Sequence, residues 1–207
     1  MRKEVKHYQG LEINIEVIAK LFAICAARNF RVEGLIPYEE IDSIEEFCQC
    51  YNCEPQNVHV ILGGDWFITY IDWEDSLEIM EWVSLECPKD KFRQSLEMLK
   101  YMIDILLQSK YRLIDAVMRH SSSYKFYELL KEHGYIQELS SSIAMEDTIP
   151  DDIYQELKSN LKQKGNLEAY LQDETRPQEY DEYFYHDLAF SLTDKFFKRY
   201  DHSQKNK

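Results

Sequence analysis

No stretch of the chain approaches the ~18 consecutive uncharged apolar residues that a membrane-spanning helix needs, and the opening "MRKEVKHYQGLEINIEV" lacks the uninterrupted apolar segment of a secretory leader. The expectation is a cytoplasmic protein that does not engage membranes. Positive charge is also scarce. There are 24 Lys and Arg against 38 Asp and Glu, a formal charge of -14. Such a field repels phosphate backbones and anionic lipid, which argues against direct nucleic-acid binding by a broad basic surface and favours a basic partner. The five cysteines, an odd number with no export signal, point to reduced thiols rather than a disulfide framework. There is no internal repeat and no long low-complexity tract.

What the chain does have is enough apolar residue, 44% of 207, to build one domain core with an appendage. After "LEIN", Asn14 is placed to cap a helix whose Val17, Ile18, Leu21, Phe22, Ile24 and Cys25 recur at helical spacing. Ser43 and Glu46 make a capping box for a second, short helix. The period then changes. "NVHVILGGDWFITYIDWEDSLEIMEWVSLE" is rich in β-branched and aromatic residues and is broken at Gly63-Gly64-Asp65 and Glu74-Asp75-Ser76, which predicts a three-stranded meander. Phe92, Leu96, Leu99, Ile103 and Leu106 form a stripe on a long helix, widened by Met98, Met102 and Ile105. "RLIDAVM" reads as a strand buried on both faces. Ser121 to Ser123 then start a helix that ends at Gly134, and "YIQEL" reads as a further strand.

From about Glu146 the character shifts, and residues 146–207 read as an acidic, tyrosine-rich helical arm on a domain spanning 1–145. Ile153, Leu157 and Leu161 give the arm one short amphipathic helix. "LQDETRPQEYDEYFYHD" resists assignment, and "LAFSLTDKFFKRY" is apolar enough to dock on the domain or on a partner.

This order of elements, closing on "RLIDAVMRHSSSYKFYELLKEHGYI", resembles the GCN5-related N-acetyltransferase (GNAT) superfamily over roughly Leu11 to Ser142, and in flavour it is similar to divergent acetyltransferase-like proteins encoded by bacteriophages. The resemblance implies an α+β, GNAT-like acyl-CoA N-acyltransferase fold, a central mixed sheet flanked by helices. It also implies acetyl-CoA as cosubstrate, bound where the fourth and fifth strands splay apart, and the host cytoplasm as location if the chain is phage-encoded. On that pattern backbone groups at Val83, Ser84 and Leu85 would hold the pantetheine arm. The turn after them would meet the pyrophosphate, with Ser123 at the start of the next helix also on the cofactor. The family's glycine-rich loop is missing: "LECPKDKFRQ" has no glycine and carries Glu86 and Asp90, so Lys89, Lys91, Arg93 and the helix N-terminus would have to serve instead.

The family usually places a tyrosine four residues before the helix-ending glycine, as acid toward the departing thiolate. Leu130 stands there in this chain, and Tyr127 is the nearby candidate, though as a packing residue of an amphipathic helix it needs no catalytic role. Strict alternation puts Leu77, Ile79, Glu81, Val83 and Leu85 on one buried face, which makes Glu81 a candidate general base. A bulge, or pairing with His59 or Arg112, would give it a purely structural role. Cys48, Cys50 and Cys53, with His59 and Cys87, invite comparison with a zinc site, but Cys-x-Cys-x-x-Cys lacks paired knuckles and is read as thiols without metal. His120 beside three serines has no nucleophile-elbow pattern, and helix capping accounts for the serines. Two functions remain in view. One is an N-acyltransferase acting on a cationic acceptor such as a lysine-rich protein or a polyamine. The other is an inactive GNAT-like scaffold that binds a protein partner through its acidic surface and arm.

Overall fold

The computed structural model describes residues 4–27, 41, 43–84, 91–109, 112–118, 121–145, 149–164 and 184–200. Seven strands form a single sheet: β1 (Lys6–Gln9), β2 (Val58–Leu62), β3 (Trp66–Asp72), β4 (Ser76–Ser84), β5 (Leu113–Met118), β6 (Ile136–Met145) and β7 (Phe184–Leu192), in the spatial order β1-β2-β3-β4-β5-β7-β6. Neighbours pair antiparallel except β4 and β5, which run parallel. The helices are α1 (Ile15–Ala27), α2 (Ile44–Tyr51), α3 (Lys91–Gln108), α4 (Ser121–Glu132), α5 (Asp151–Lys164) and α6 (Asp194–Tyr200). Among the described residues no helix is long and apolar enough to cross a membrane.

Most of these elements form for the local reasons the sequence offers. The Asn14 side chain accepts from the backbone N–H of Glu16 and Val17 at 3.0 and 3.2 Å and so starts α1. Ser43 accepts from the N–H of Glu46 at 3.2 Å and starts α2, which closes on Asn52 in the left-handed conformation. The turn between β2 and β3 depends on Gly63, because a Cβ there would lie 2.3 Å from the buried Trp66 ring. Gly134, at φ +64°, ends the α4 turn, and Tyr135 N–H reaches back to Leu130 O at 2.8 Å.

The sheet separates two cores. On one face, Ile68, Tyr70, Leu77, Ile79, Ile114, Ala116 and Phe190 pack against Met102, Ile105 and Leu106 of α3, Tyr127 and Leu130 of α4, and Phe196 of α6. On the other, Val58, Val60, Leu62, Phe67 and Val83 meet Val17, Ile18, Leu21, Ile24 and Cys25 of α1 and Ile44, Phe47 and Cys48 of α2. The stripe expected on α3 is rotated. Met102, Ile105 and Leu106 are buried and Met98 packs against them, whereas Leu96 is half exposed, so the methionine-bearing side is the one that meets the sheet.

Two strands were not expected from the sequence, and each corrects an expectation. β1 extends the meander, held by pairing with β2 and by His7 Nε2 to His59 Nδ1 at 3.1 Å, with the His59 ring stacked on Tyr70 at 4.6 Å. β7 comes from the segment read as an arm. It lies between β5 and β6, and Leu188, Phe190 and Leu192 are buried in the main core, so a division at 145/146 cuts through the sheet instead of marking its edge. The physical reason is that β5 and β6 do not pair with each other, and β7 is the strand that satisfies the facing edges of both. The turn into α6 locks this arrangement. Thr193 Oγ1 donates to Gly134 O at 2.8 Å, and Lys195 Nζ donates to His133 O at 2.7 Å.

Phe190→Ala, at a fully buried position of β7, is expected to destabilise the whole domain by about 3–5 kcal/mol in denaturant unfolding; local loosening of the C-terminal segment alone would contradict the sheet order. A second expectation concerns pH. Burial first, and His7 second, hold the His59 imidazole down to about 4, against roughly 6.5 in an unfolded chain. The folded state therefore binds fewer protons than the unfolded state in that window. The contribution is complete above about 6.5 and is lost as pH falls toward about 4. His59→Phe, which keeps the stack on Tyr70, should flatten the decline in the denaturation midpoint between about pH 7 and 4.5.

Candidate active site

The parallel ladder between β4 and β5 is short: Ser76 to Ile79 pair with Leu113 to Ala116, and no β4 residue beyond Ile79 has a partner in β5. β4 continues to Ser84 along β3, while β5 continues to Met118 along β7. The two strands therefore part just past Ile79 and Ala116, which leaves one edge of β4 without a strand neighbour among the described residues.

The parting coincides with a break in register on the other side of β4. Tyr70 pairs with Ile79 and Thr69 with Glu81, so Met80 is the extra residue of a β-bulge. The strict alternation expected from the sequence fails here. Leu77 and Ile79 face the α3/α4 core, whereas Glu81 and Val83 face the side of α1 and α2. The bulge turns the second half of the strand over, and Trp82 now looks toward α4.

Glu81 is half-buried, and Thr69 Oγ1 lies 3.4 Å from its Oε2, the long end of hydrogen-bond range. Its carboxylate is close enough to Cys25 of α1 to push that thiol further up, beyond the larger effect of burial. Both structural partners considered from the sequence are engaged elsewhere: His59 pairs with His7, and Arg112 donates to Asp72 Oδ1 at 2.5 Å and to Trp73 O at 2.8 Å. More acids lie on the same face. Glu78 stands beside Asp115 in the parallel ladder, and burial, then the charge of Asp187, raises the Asp115 carboxyl. Strand β5 buries Ile114 and Ala116 toward α3 and α4, while its other face carries the half-buried Asp115 and the exposed Leu113, so it is not buried on both sides as its composition suggested. The lone acid in "RLIDAVM" was the available signal.

Of the residues expected to hold a cofactor, Val83 is buried, with its side chain in the α1/α2 core and its backbone opposite Phe67 in the β3–β4 ladder, and Ser84 is half-buried. Lys91 and Arg93 fall in the first turn of α3, which contains no acidic residue. Ser123 falls in the first turn of α4. Leu85, Lys89 and the acids Glu86 and Asp90 lie outside the described residues, as do Cys87 and His120.

Tyr127 is fully buried against the rings of Trp82 (centroids 6.2 Å), Phe126 (5.1 Å) and Phe190 (5.4 Å). Its hydroxyl is the buried side-chain polar atom with no hydrogen-bond partner among the described residues, and burial raises its pKa. Tyr127 packs in the core of α4 as Leu130 does, and it lies beneath the Trp82 side of the opening.

The cysteines form no comparable centre. Cys48 is buried in α2 and Cys53 comes just after it, on the opposite side of the sheet from His59, and the described residues contain no cluster able to hold a metal ion. His133 Nδ1 donates locally to Leu129 O, 2.9 Å away, at the end of α4.

No protein-family model and no curated protein matches the sequence. Among solved structures, the chain is similar to Ard1 from Thermoplasma volcanium, at 10% identity and a TM-score of 0.45, with 93% of this chain and 100% of that one covered. It is also similar to the ribosomal-protein-S18-alanine N-acetyltransferase of Escherichia coli, at 10% identity and 0.45, covering 91% and 94%. A third is the PaiA N-acetyltransferase of Thermoplasma acidophilum, solved in complex with coenzyme A, at 13% identity and 0.38, covering 70% and 93%. A meander joined by a single parallel ladder to a second half-sheet, parted beyond that ladder and flanked by helices on both faces, is the arrangement observed, and it is the α+β, mixed-sheet architecture that the GNAT resemblance led one to expect.

Proposed function

We propose that the chain is an N-acyltransferase that moves an acyl group, acetyl in the simplest case, from an acyl-CoA to an amine. The observation that carries this reading is the bulge at Met80. It falls where β4 leaves β5, and it sets Glu81 at the opening on one face while Trp82 and, beneath it, Tyr127 stand on the other. A base and an acid on opposite sides of a gap between strands are what acyl transfer from a thioester to an amine requires.

The unpartnered hydroxyl of Tyr127 supports the fit of such a ligand, because a buried donor without an acceptor is destabilising and an incoming acceptor atom would relieve it. Backbone groups of Val83 and Ser84 would lie along the pantetheine arm, and the α3 N-terminus with Lys91 and Arg93 would meet the phosphates. The acyl-CoA supplies a thioester whose sulfur departs with the bonding pair as the amide forms. Glu81 accepts the proton lost by the amine nitrogen, and Tyr127 Oη gives one to the sulfur side of the gap. Protons balance, one taken and one returned.

The acceptor we favour is cationic, a basic protein segment or a polyamine. Glu78, Glu81, Asp115 and Asp187 share the face from which the amine would approach, and the net charge of -14 attracts the same class.

Glu81→Gln should bind coenzyme A as the parent does and lose about 100-fold or more in kcat/KM toward a polyamine acceptor in a thiol-release assay. No calorimetric binding of coenzyme A by the parent chain at millimolar concentration would rule the proposal out. Tyr127→Phe separates stability from chemistry. Removing the orphan hydroxyl should leave the fold unchanged or stabilise it by about 1 kcal/mol in denaturant unfolding while slowing transfer; a loss of stability would mean that the hydroxyl is satisfied in solution.

A further inference from the structure

The two halves of the sheet are joined by the β4–β5 ladder up to Ile79 and Ala116. Beyond it, the described contacts that bridge the gap on the α3/α4 side are aromatic. The Trp82 ring, on the free half of β4, packs on Phe126 at 5.1 Å and on Tyr127 at 6.2 Å, and both belong to the helix that comes after β5. Trp82 and Phe126 are only half-buried, so this pair forms the outer surface of the opening, and Tyr127 lies fully buried behind it.

We infer that Trp82 is a gate: its ring closes the opening against Phe126, and it must leave Phe126 for the arm of an acyl-CoA to enter. The inference rests on the acyl-CoA reading above, and three observations converge on it. First, the contact spans the place where the strands part, so it fills space that an inserted ligand would need. Second, its outer members are partly exposed rings, Trp82 on β4 past the bulge and Phe126 on α4, and the Trp82 ring can rotate without opening the core formed by Ile79, Ala116 and Phe190. Third, the contact seals in a hydroxyl that has no partner among the described residues, so the closed form carries an uncompensated donor that a ligand in the open form can satisfy.

A gate of this kind lowers apparent affinity by the fraction of molecules that are open. Removing the ring should therefore tighten binding rather than weaken it. A residue that stacks on the ligand would behave the opposite way, which makes the sign of the change decisive.

The probe is coenzyme A, titrated by calorimetry into the parent chain, Trp82→Ala and, as a second way to break the same contact, Phe126→Ala. Both variants are expected to bind about tenfold more tightly than the parent, with Trp82→Tyr, which keeps a ring on Phe126, close to the parent value. A readout independent of transfer accompanies this. In indole N–H NMR spectra of the parent, coenzyme A should move the Trp82 signal, assigned by its loss in Trp82→Phe, and leave that of Trp66 in place, because Trp66 is buried and donates to Glu97 at 3.3 Å. Binding by the parent with equal or weaker binding by both variants would overturn the gate and leave the acyltransferase reading standing. Absence of binding by all of them would overturn both.

Discussion

Everything in this molecule turns on one short parallel ladder. Among the described residues, Ser76 to Ile79 against Leu113 to Ala116 is the sole strand pairing between an antiparallel meander on one side and an antiparallel trio on the other. Parallel pairing needs a crossover, and α3 supplies it, burying Met102, Ile105 and Leu106 over the seam. The ladder is long enough to fix the register of the two half-sheets and short enough to let them diverge. Had it run the full length of β4, the strand would have no free edge, and the opening would be closed by backbone hydrogen bonds instead of side chains.

The bulge at Met80 solves a second problem at the same place. β4 must bury Leu77 and Ile79 toward α3 and α4, yet Val83 must fill the core under α1 and α2. One inserted residue reverses the facing of the strand, and both cores are served. The same reversal carries Glu81 to the acidic face and Trp82 to the aromatic one. The polar and apolar halves of the opening are therefore consequences of a single backbone irregularity, and so is the separation of Glu81 from the buried tyrosine.

How far this was legible in the sequence depends on whether the determining interactions are local. The caps at Asn14 and Ser43, the turns at Gly63-Gly64-Asp65 and Glu74-Asp75-Ser76, and the end of α4 at Gly134 were readable because each is settled within a few residues. Their order was enough for the resemblance that implied the fold. The bulge was not readable, because alternation continues through "LEIMEWVSL" and only pairing with Thr69 and Tyr70 shows the slip. Glu81 was picked out for sitting on an apolar face with Leu77 and Ile79. It sits on the other one, so the residue was named on a geometry that does not hold. Tyr127 was read as a packing residue of an amphipathic helix, and it packs in the core; that it also lies behind Trp82 depends on how α4 lies over β4. β7 went unrecognised because "FYHDLAFSL" is a strand only by virtue of the two edges it fills, and β1 because four residues carry almost no periodicity.

The position of β7 also bears on how the chain reaches this state. β5 ends at Met118 and β6 begins at Ile136, yet the two stand two strand spacings apart, about 10 Å, until residues 184–192 arrive between them. Before that, one edge of each is an exposed row of unpaired amides and carbonyls, and the apolar residues destined to meet Phe190 have nothing to cover them. Closure of the sheet is thus a contact between segments remote in sequence, the kind of pairing whose loop-closure cost must be met before its contacts are gained.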